Sequence, residues 1–270
     1  MSNEAENKVS NFYNTVGWEE NNNVTEDANR WEDLRKCAEK YVSKCRLRLL
    51  KHIPLSGKNI IDMASGPIQY PEYLEYSKNF NKRYCVDLSD FALEKAKEKI
   101  QDHGVFLCGS FFDLDFEQDF FDCALSLHTI YHMEKTQQEK AVRKLIHITK
   151  PGKPVIIIYS NPRTLLNRIL TPIRHLSKSM RRLRPSKHNT PQDHDLYFYA
   201  HPIQWWDKFA NVATVQIRPW RSFAANQQKL LFPNNRIGQV LFDILYYLEE
   251  KFPVFFYKNF QYPMIILTKK

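Results

Sequence analysis

Three groups of residues in this 270-residue chain have the types and spacing to do chemistry. The first is I-I-D-M-A-S-G-P (60–67), where β-branched residues run into Asp62 and then a turn of small residues, Ala64, Ser65 and Gly66. The chain has only seven glycines, so a glycine set beside alanine and serine marks a turn whose backbone a ligand can approach closely. The second is Asp87, 25 residues beyond Asp62 and at the close of R-Y-C-V-D. A carboxylate there can accept both hydroxyls of a ribose, each charge-assisted hydrogen bond contributing about 1.5–3 kcal/mol. The third is S-L-H-T-I-Y-H-M (126–133), carrying His128, Tyr131 and His132. Histidine titrates near neutrality and serves as a general base for a hydroxyl acceptor. His132 is the first candidate for that role, His128 the second, with Tyr131 between them.

The elements that must hold these groups follow from periodicity. The pattern predicts a helix from Asp27 to about Ile53, stopped by Pro54 and Gly57. Strands are expected at 59–62, 83–87, 104–108, 120–127 and 154–160. Between them lie a short helix over 68–77, a helix over 91–100 capped by Ser89-Asp90, and a helix over 134–149. Five apolar strands alternating with helices predict a parallel sheet covered on both faces. Ligands bind such sheets at the carboxyl ends of the strands. Asp62, Asp87, Cys108-Gly109-Ser110 and Ser126-Leu127-His128 are therefore expected along one rim. After Ser160 come a basic apolar segment (163–184), a polar loop, a strand-like run (212–220), a helix (Gln239 to about Lys251) and a final strand (262–269). The expected division is a lid and first helix over 1–54, a core over 55–160, a cap region with the sixth strand over 161–260, and a closing strand over 261–270.

At 43% hydrophobic residues the chain can bury a core, which excludes a disordered protein. No apolar run approaches the roughly 20 residues that span a bilayer, and the polar, acidic N-terminus does not read as a secretory signal. Five cysteines, at 37, 45, 85, 108 and 123, show no metal-ligand spacing. The last three fall in strand-like runs and read as reduced core thiols, so the expected setting is the cytoplasm. A net charge of +9 favours an anionic partner. The charge concentrates in 163–187, where Leu165, Leu166, Ile169, Leu170, Ile173 and Leu176 recur at helical spacing among arginines and lysines. That segment reads either as an anionic-membrane or phosphorylated-ligand contact or as a cap helix over the site. The stretch H-P-I-Q-W-W (201–206) is a candidate lining for an acceptor pocket.

A nucleotide-like cofactor fits the turn after Asp62, with the helix near Ile68 aiming its positive end at the pocket. The turn reads A-S-G-P-I-Q, short of the G-x-G-x-x-G that cradles a pyrophosphate, and Pro67 removes an amide that a phosphate would use. A cofactor without phosphates, S-adenosylmethionine, suits it better. Four stretches in order then resemble class I S-adenosylmethionine-dependent methyltransferases: I-I-D-M-A-S-G-P, C-V-D-L-S-D-F-A-L-E-K-A-K, F-D-C-A-L-S-L-H-T-I-Y-H-M and L-I-H-I-T-K-P-G-K-P-V-I-I-I-Y-S. The resemblance spans about 55–160, with the final strand consistent, and is nearest to the quinone-biosynthesis-like, small-molecule branch.

The resemblance implies a Rossmann-like, seven-stranded, mostly parallel α/β sheet with a helical substrate cap. It implies that Ala64, Ser65 and Gly66 meet the methionine part, that Asp62 helps hold its amino group, that Asp87 takes the ribose and that Leu88 lies on the adenine. Ser110, followed by Phe111, stands where the family has an acid for the adenine amine. Ala64 replaces the family's glycine, a change tolerable at negative φ. Leu127 and His128 border the cofactor, and an N-terminal lid carries Tyr13 and Trp18. The implied activity is methyl transfer to a small molecule, oxygen favoured, leaving S-adenosylhomocysteine. The alternatives are a non-catalytic cofactor-binding partner domain and an RNA methyltransferase. Against the latter, Ser126-Leu127-His128-Thr129 lacks the Asn/Asp-Pro-Pro-aromatic of base-amine methyltransferases, Cys123 lies inside an apolar run, and no aromatic-basic RNA motif appears.

Overall fold

The computed structural model describes residues 20–21, 24–166, 168 and 197–270. Tyr13, Trp18 and nearly all of 163–187 lie outside the described residues. The apolar runs become strands β1 (Gly57–Met63), β2 (Phe80–Asp87), β3 (Gly104–Cys108), β4 (Cys123–Leu127), β5 (Pro154–Ile158), β6 (Ala213–Arg221) and β7 (Tyr262–Lys269). They form one seven-stranded sheet in the order β3-β2-β1-β4-β5-β7-β6. The first five are parallel, and β7 inserts antiparallel between β5 and β6. The order reverses between β1 and β4, which opens a crevice at their carboxyl ends.

The helices are α1 (Glu26–Trp31), α2 (Lys36–Leu47), α3 (Asp90–Ile100), α4 (Lys135–Ile148), α5 (Ala225–Leu231), α6 (Arg236–Lys251) and α7 (Pro253–Asn259). On one sheet face α4 and the 3-10 turn Ile203–Phe209 bury Ala141, Leu145 and Trp206 against Ile61, Ala124 and Ile157. The other face takes Leu49, from the 3-10 turn after α2, against Ile60, Leu125 and Ile156, and the apolar side of α3 against Cys85. The Ser89 cap forms as expected, its hydroxyl accepting from the Ala92 N–H at 3.2 Å.

Three expectations are corrected. The helix over 27–53 is two helices followed by a 3-10 turn, because the backbone is extended at Glu32 and Arg35 and Asp33 binds Arg35 at 2.7 Å. No α-helix follows the β1 turn: Ile68 sits at φ +50 and Pro71–Tyr73 is a single 3-10 turn, so the helix expected near Ile68 does not supply its positive end to the site. Cys108 is exposed at the end of β3 and is not a core thiol; Cys85 and Cys123 are buried.

Candidate active site

The turn after β1 is built from alternating left-handed residues, Ala64 (φ +58), Gly66 (φ +54) and Ile68 (φ +50). The left-handed region costs an L-residue roughly 1–2 kcal/mol, so the positive φ at Ala64 overturns the condition under which its methyl is free of cost. Hydrogen bonds to β2 hold the turn. The Ser65 N–H donates to the Val86 carbonyl at 3.1 Å, and the Gly66 N–H donates to Asp87 Oδ2 at 2.8 Å. Lys99 of α3 closes the far side, donating to the carbonyls of Pro67 and Ile68, both at 2.9 Å. Asp87 also accepts the Ser89 N–H on Oδ1 at 2.9 Å. Burial lifts its carboxyl to about 6, the amide donors opposing that shift.

Asp62 lies one residue before the end of β1 and is buried, its Oδ2 paired with the fully buried Arg83 of β2. Arg83 also donates to the Tyr73 carbonyl at 2.6 Å. Asp62 Oδ1 is buried with no partner among the described residues. An unfilled carboxylate lobe beside the turn is what an incoming ammonium group would satisfy.

At the end of β4, His128 takes φ +62. Its Nδ1 is 2.9 Å from the Tyr131 hydroxyl, and its ring meets the Trp220 and Tyr262 rings edge-on, with centroids 4.7 and 5.1 Å away. Burial, with Arg221 nearby, holds its pKa well below the ordinary histidine value. His132 closes the next turn, and its Nδ1 is 2.9 Å from the Tyr197 carbonyl. A carbonyl only accepts, so Nδ1 carries the proton and Nε2 keeps the lone pair. Burial lowers the pKa of His132 as well.

A cavity of about 420 Å³ joins these groups. Asp62, Ala64, Ser65, Gly66, Asp87 and Leu88 line one side; Phe111, Leu127, His128, Tyr131 and His132 are also on its wall. Ser110 is not among the lining residues; its hydroxyl accepts from the Phe112 N–H at 3.3 Å. Nor are Cys108 or Ser126. The tryptophan pair does not line the cavity: Trp206 is core, and Trp205 stacks on His201 with centroids 4.3 Å apart. The tryptophans' apolar mass is used to close the sheet face under α4.

Sequence reasoning missed the wall formed by Trp31, Glu32, Tyr70, Arg221, Gln261 and Tyr262. Arg221 is buried and donates to Glu32 Oε2 at 2.7 Å, and its guanidinium lies over the Trp220 and Tyr262 rings. The available signal was an arginine closing the strand-like run V-A-T-V-Q-I-R-P-W-R.

The strand order, the tight turn after β1 and the acid closing β2 define the class I S-adenosylmethionine-dependent methyltransferase fold. Residues 61–157 match the family model described as methyltransferase domain. The core of this chain is thus a methyltransferase domain, its enzyme class is methyl transfer, and its cofactor is S-adenosylmethionine. No curated protein matches the chain by sequence. Among solved structures it is similar to magnesium protoporphyrin IX methyltransferase from Synechocystis PCC 6803 with bound S-adenosylhomocysteine, at TM-score 0.55 and 13% identity, covering 99% of this chain and 100% of that one. It is similar to geranyl diphosphate methyltransferase in complex with S-adenosylmethionine, at TM-score 0.50 and 15% identity, covering 84% and 85%. It is also similar to a chain from the complex of the Haloferax volcanii Trm112 methyltransferase activator with a putative methyltransferase, at TM-score 0.50 and 15% identity, covering 86% and 91%. These likenesses speak for the fold; the quinone-biosynthesis-like branch rests on the sequence motifs alone.

Proposed function

We propose that this chain methylates an oxygen atom of a small molecule, with His132 as the general base. The observation that carries the reading is the hydrogen bond from His132 Nδ1 to the Tyr197 carbonyl. It fixes the tautomer and leaves a basic Nε2 on a cavity-lining ring. Bound S-adenosylmethionine supplies an already activated methyl group, so the protein's work is positioning and proton removal. Asp62 Oδ1 and the Ala64-Ser65-Gly66 turn would hold the amino-acid end, Asp87 the ribose and Leu88 the adenine. Tyr131 and His128 shape the acceptor side, and the Tyr131 ring lies against His132, with centroids 4.6 Å apart. Both histidines are held neutral by burial, as a base requires.

The acceptor is read as a sugar, a glycan precursor or a natural-product intermediate, on the region after Ser160 read as an open-ended cap; the absence of a base-amine motif after β4 argues against nucleic acid. The basic segment 163–187 is read as a contact for an anionic group of that acceptor or for a membrane surface, on sequence alone. The setting is read as cytoplasmic. The test is transfer of labelled methyl from S-adenosylmethionine to the small-molecule fraction of a cell extract. His132→Ala should lower the turnover about 10²–10⁴-fold while S-adenosylhomocysteine affinity stays unchanged. Turnover that survives the substitution would remove His132 as the base. Tight cofactor binding without transfer to any extract would turn the reading to a non-catalytic domain.

A further inference from the structure

The helices between β6 and β7 present an apolar surface that the methyltransferase chemistry does not use. On α6, Ile237, Val240, Leu241, Ile244 and Tyr247 recur at helical spacing and all are exposed, Ile237 to 63% and Tyr247 to 59%. The opposite face of α6 is the one that packs, burying Phe242 and Leu245 against Tyr41 of α2. Phe252, Val254 and Phe255 at α7, which packs against the end of α6, are exposed as well, and so are Leu230 and Leu231 of α5. Isolated exposed apolar side chains are ordinary, but ten on three consecutive helices, five of them on one face of α6, mark a contact surface.

The unpaired charge around these residues is positive. Lys229, Arg236, Lys251 and Lys258 are exposed on these helices, and none has a carboxylate partner among the described residues. Lys251 lies beside two of them, its Nζ 5.6 Å from the centroids of both Tyr247 and Phe252. Helices α5 and α7 carry no carboxylate, and each of the three on α6 is paired with a cation of α2 or of the turn after it. Asp243 binds Lys40 and Lys44, Glu249 is buried against Arg48, and Glu250 binds Arg48 and Lys51.

We propose that the outer face of α5–α7 docks this protein onto the surface of an anionic lipid bilayer. Aliphatic and aromatic side chains would enter the headgroup–acyl boundary. The unpaired cations would reach lipid phosphates and carboxylates from their apolar stems. A second copy of the chain fits poorly, because a self-contact would set four unpaired cations against four. No helix among the described residues is long and apolar enough to cross a membrane.

The test is co-sedimentation of the full chain with phosphatidylcholine vesicles, with and without phosphatidylserine. The wild type should pellet with the serine-lipid vesicles, less so at high salt. A double variant, Ile244→Glu with Phe255→Glu, should lower the partition about tenfold or more and leave S-adenosylhomocysteine affinity unchanged, which certifies the fold. A wild type that stays in the supernatant at low salt overturns the proposal. So does a variant that pellets like the wild type, since binding then runs through another surface such as 163–187. A dimer that the double variant dissociates would assign the face to a second copy. Salt-sensitive binding to poly-glutamate without vesicle binding would assign it to an acidic protein.

Discussion

Asp87 does two jobs that pull in opposite directions. Its carboxylate accepts the amides of Gly66 and Ser89, so it shapes the turn, and in the proposed function it also accepts the ribose hydroxyls. Burial raises it to about 6, and a protonated carboxyl accepts fewer hydrogen bonds. The raised value puts the charged form above pH 6. Cofactor affinity should be flat above about pH 7 and fall as the pH drops through 6, as titration calorimetry at several pH values would show. For His132 the shift is downward from 6.5, so the neutral base predominates at pH 7. Turnover should plateau at neutral pH and decline below a pKa under 6.5, and a decline centred above pH 7 would contradict the assignment. Ala64 gives a third prediction: at φ +58, Ala64→Gly should stabilise the protein by about 0.5–1 kcal/mol in chemical denaturation, a loss of stability being the contrary result. The acids and histidines were legible because apolar runs end on them. The conformations were not. A left-handed Ala64 in place of the customary glycine, and a buried Asp62 oxygen without a partner among the described residues beside the Asp62–Arg83 pair, are set by the folded arrangement.

At the scale of elements, the sheet could be read from its alternation of apolar runs, and the strands fall within a few residues of expectation. The helices were harder. The run 68–77 has helical spacing but follows Pro67 and a left-handed Ile68, so only a 3-10 turn forms. The stretch 27–53 is interrupted by a polar network that no local rule exposes. Glu32 binds Arg221 and, at 3.5 Å, Arg46. A second network centres on buried Glu249 of α6, which accepts from Tyr41 of α2 at 2.7 Å, from Arg48 at 2.8 Å and from the Ser222 N–H after β6 at 3.0 Å. One carboxylate thus ties three elements, and its loss leaves a buried arginine under-compensated. Glu249→Gln should cost about 3 kcal/mol in urea unfolding, and a cost under about 1 kcal/mol would show the network to be dispensable.

At the scale of the molecule, the two sides of the cavity come from different parts of the sheet. The β1–β2 side carries the residues proposed to cradle the methionine and ribose. The opposite wall depends on β6 and β7 and on α1, regions far apart in the chain that no motif joins, and Arg221, Gln261 and Tyr262 are there because β7 inserts antiparallel beside β5. That is why the cofactor half of the site was readable and the acceptor half was not. A ligand held only by the folded state also stabilises it by mass action, by about 2.7 kcal/mol at a hundredfold excess over its Kd, so S-adenosylhomocysteine should raise the melting temperature.

The most direct test of the account is titration calorimetry of S-adenosylhomocysteine into the wild type and Asp87→Asn. The account predicts one site per chain, with affinity falling about 10–150-fold in the variant, the equivalent of about 1.5–3 kcal/mol. No heat from the wild type with either S-adenosylmethionine or S-adenosylhomocysteine, alongside binding of a nicotinamide dinucleotide, would contradict it.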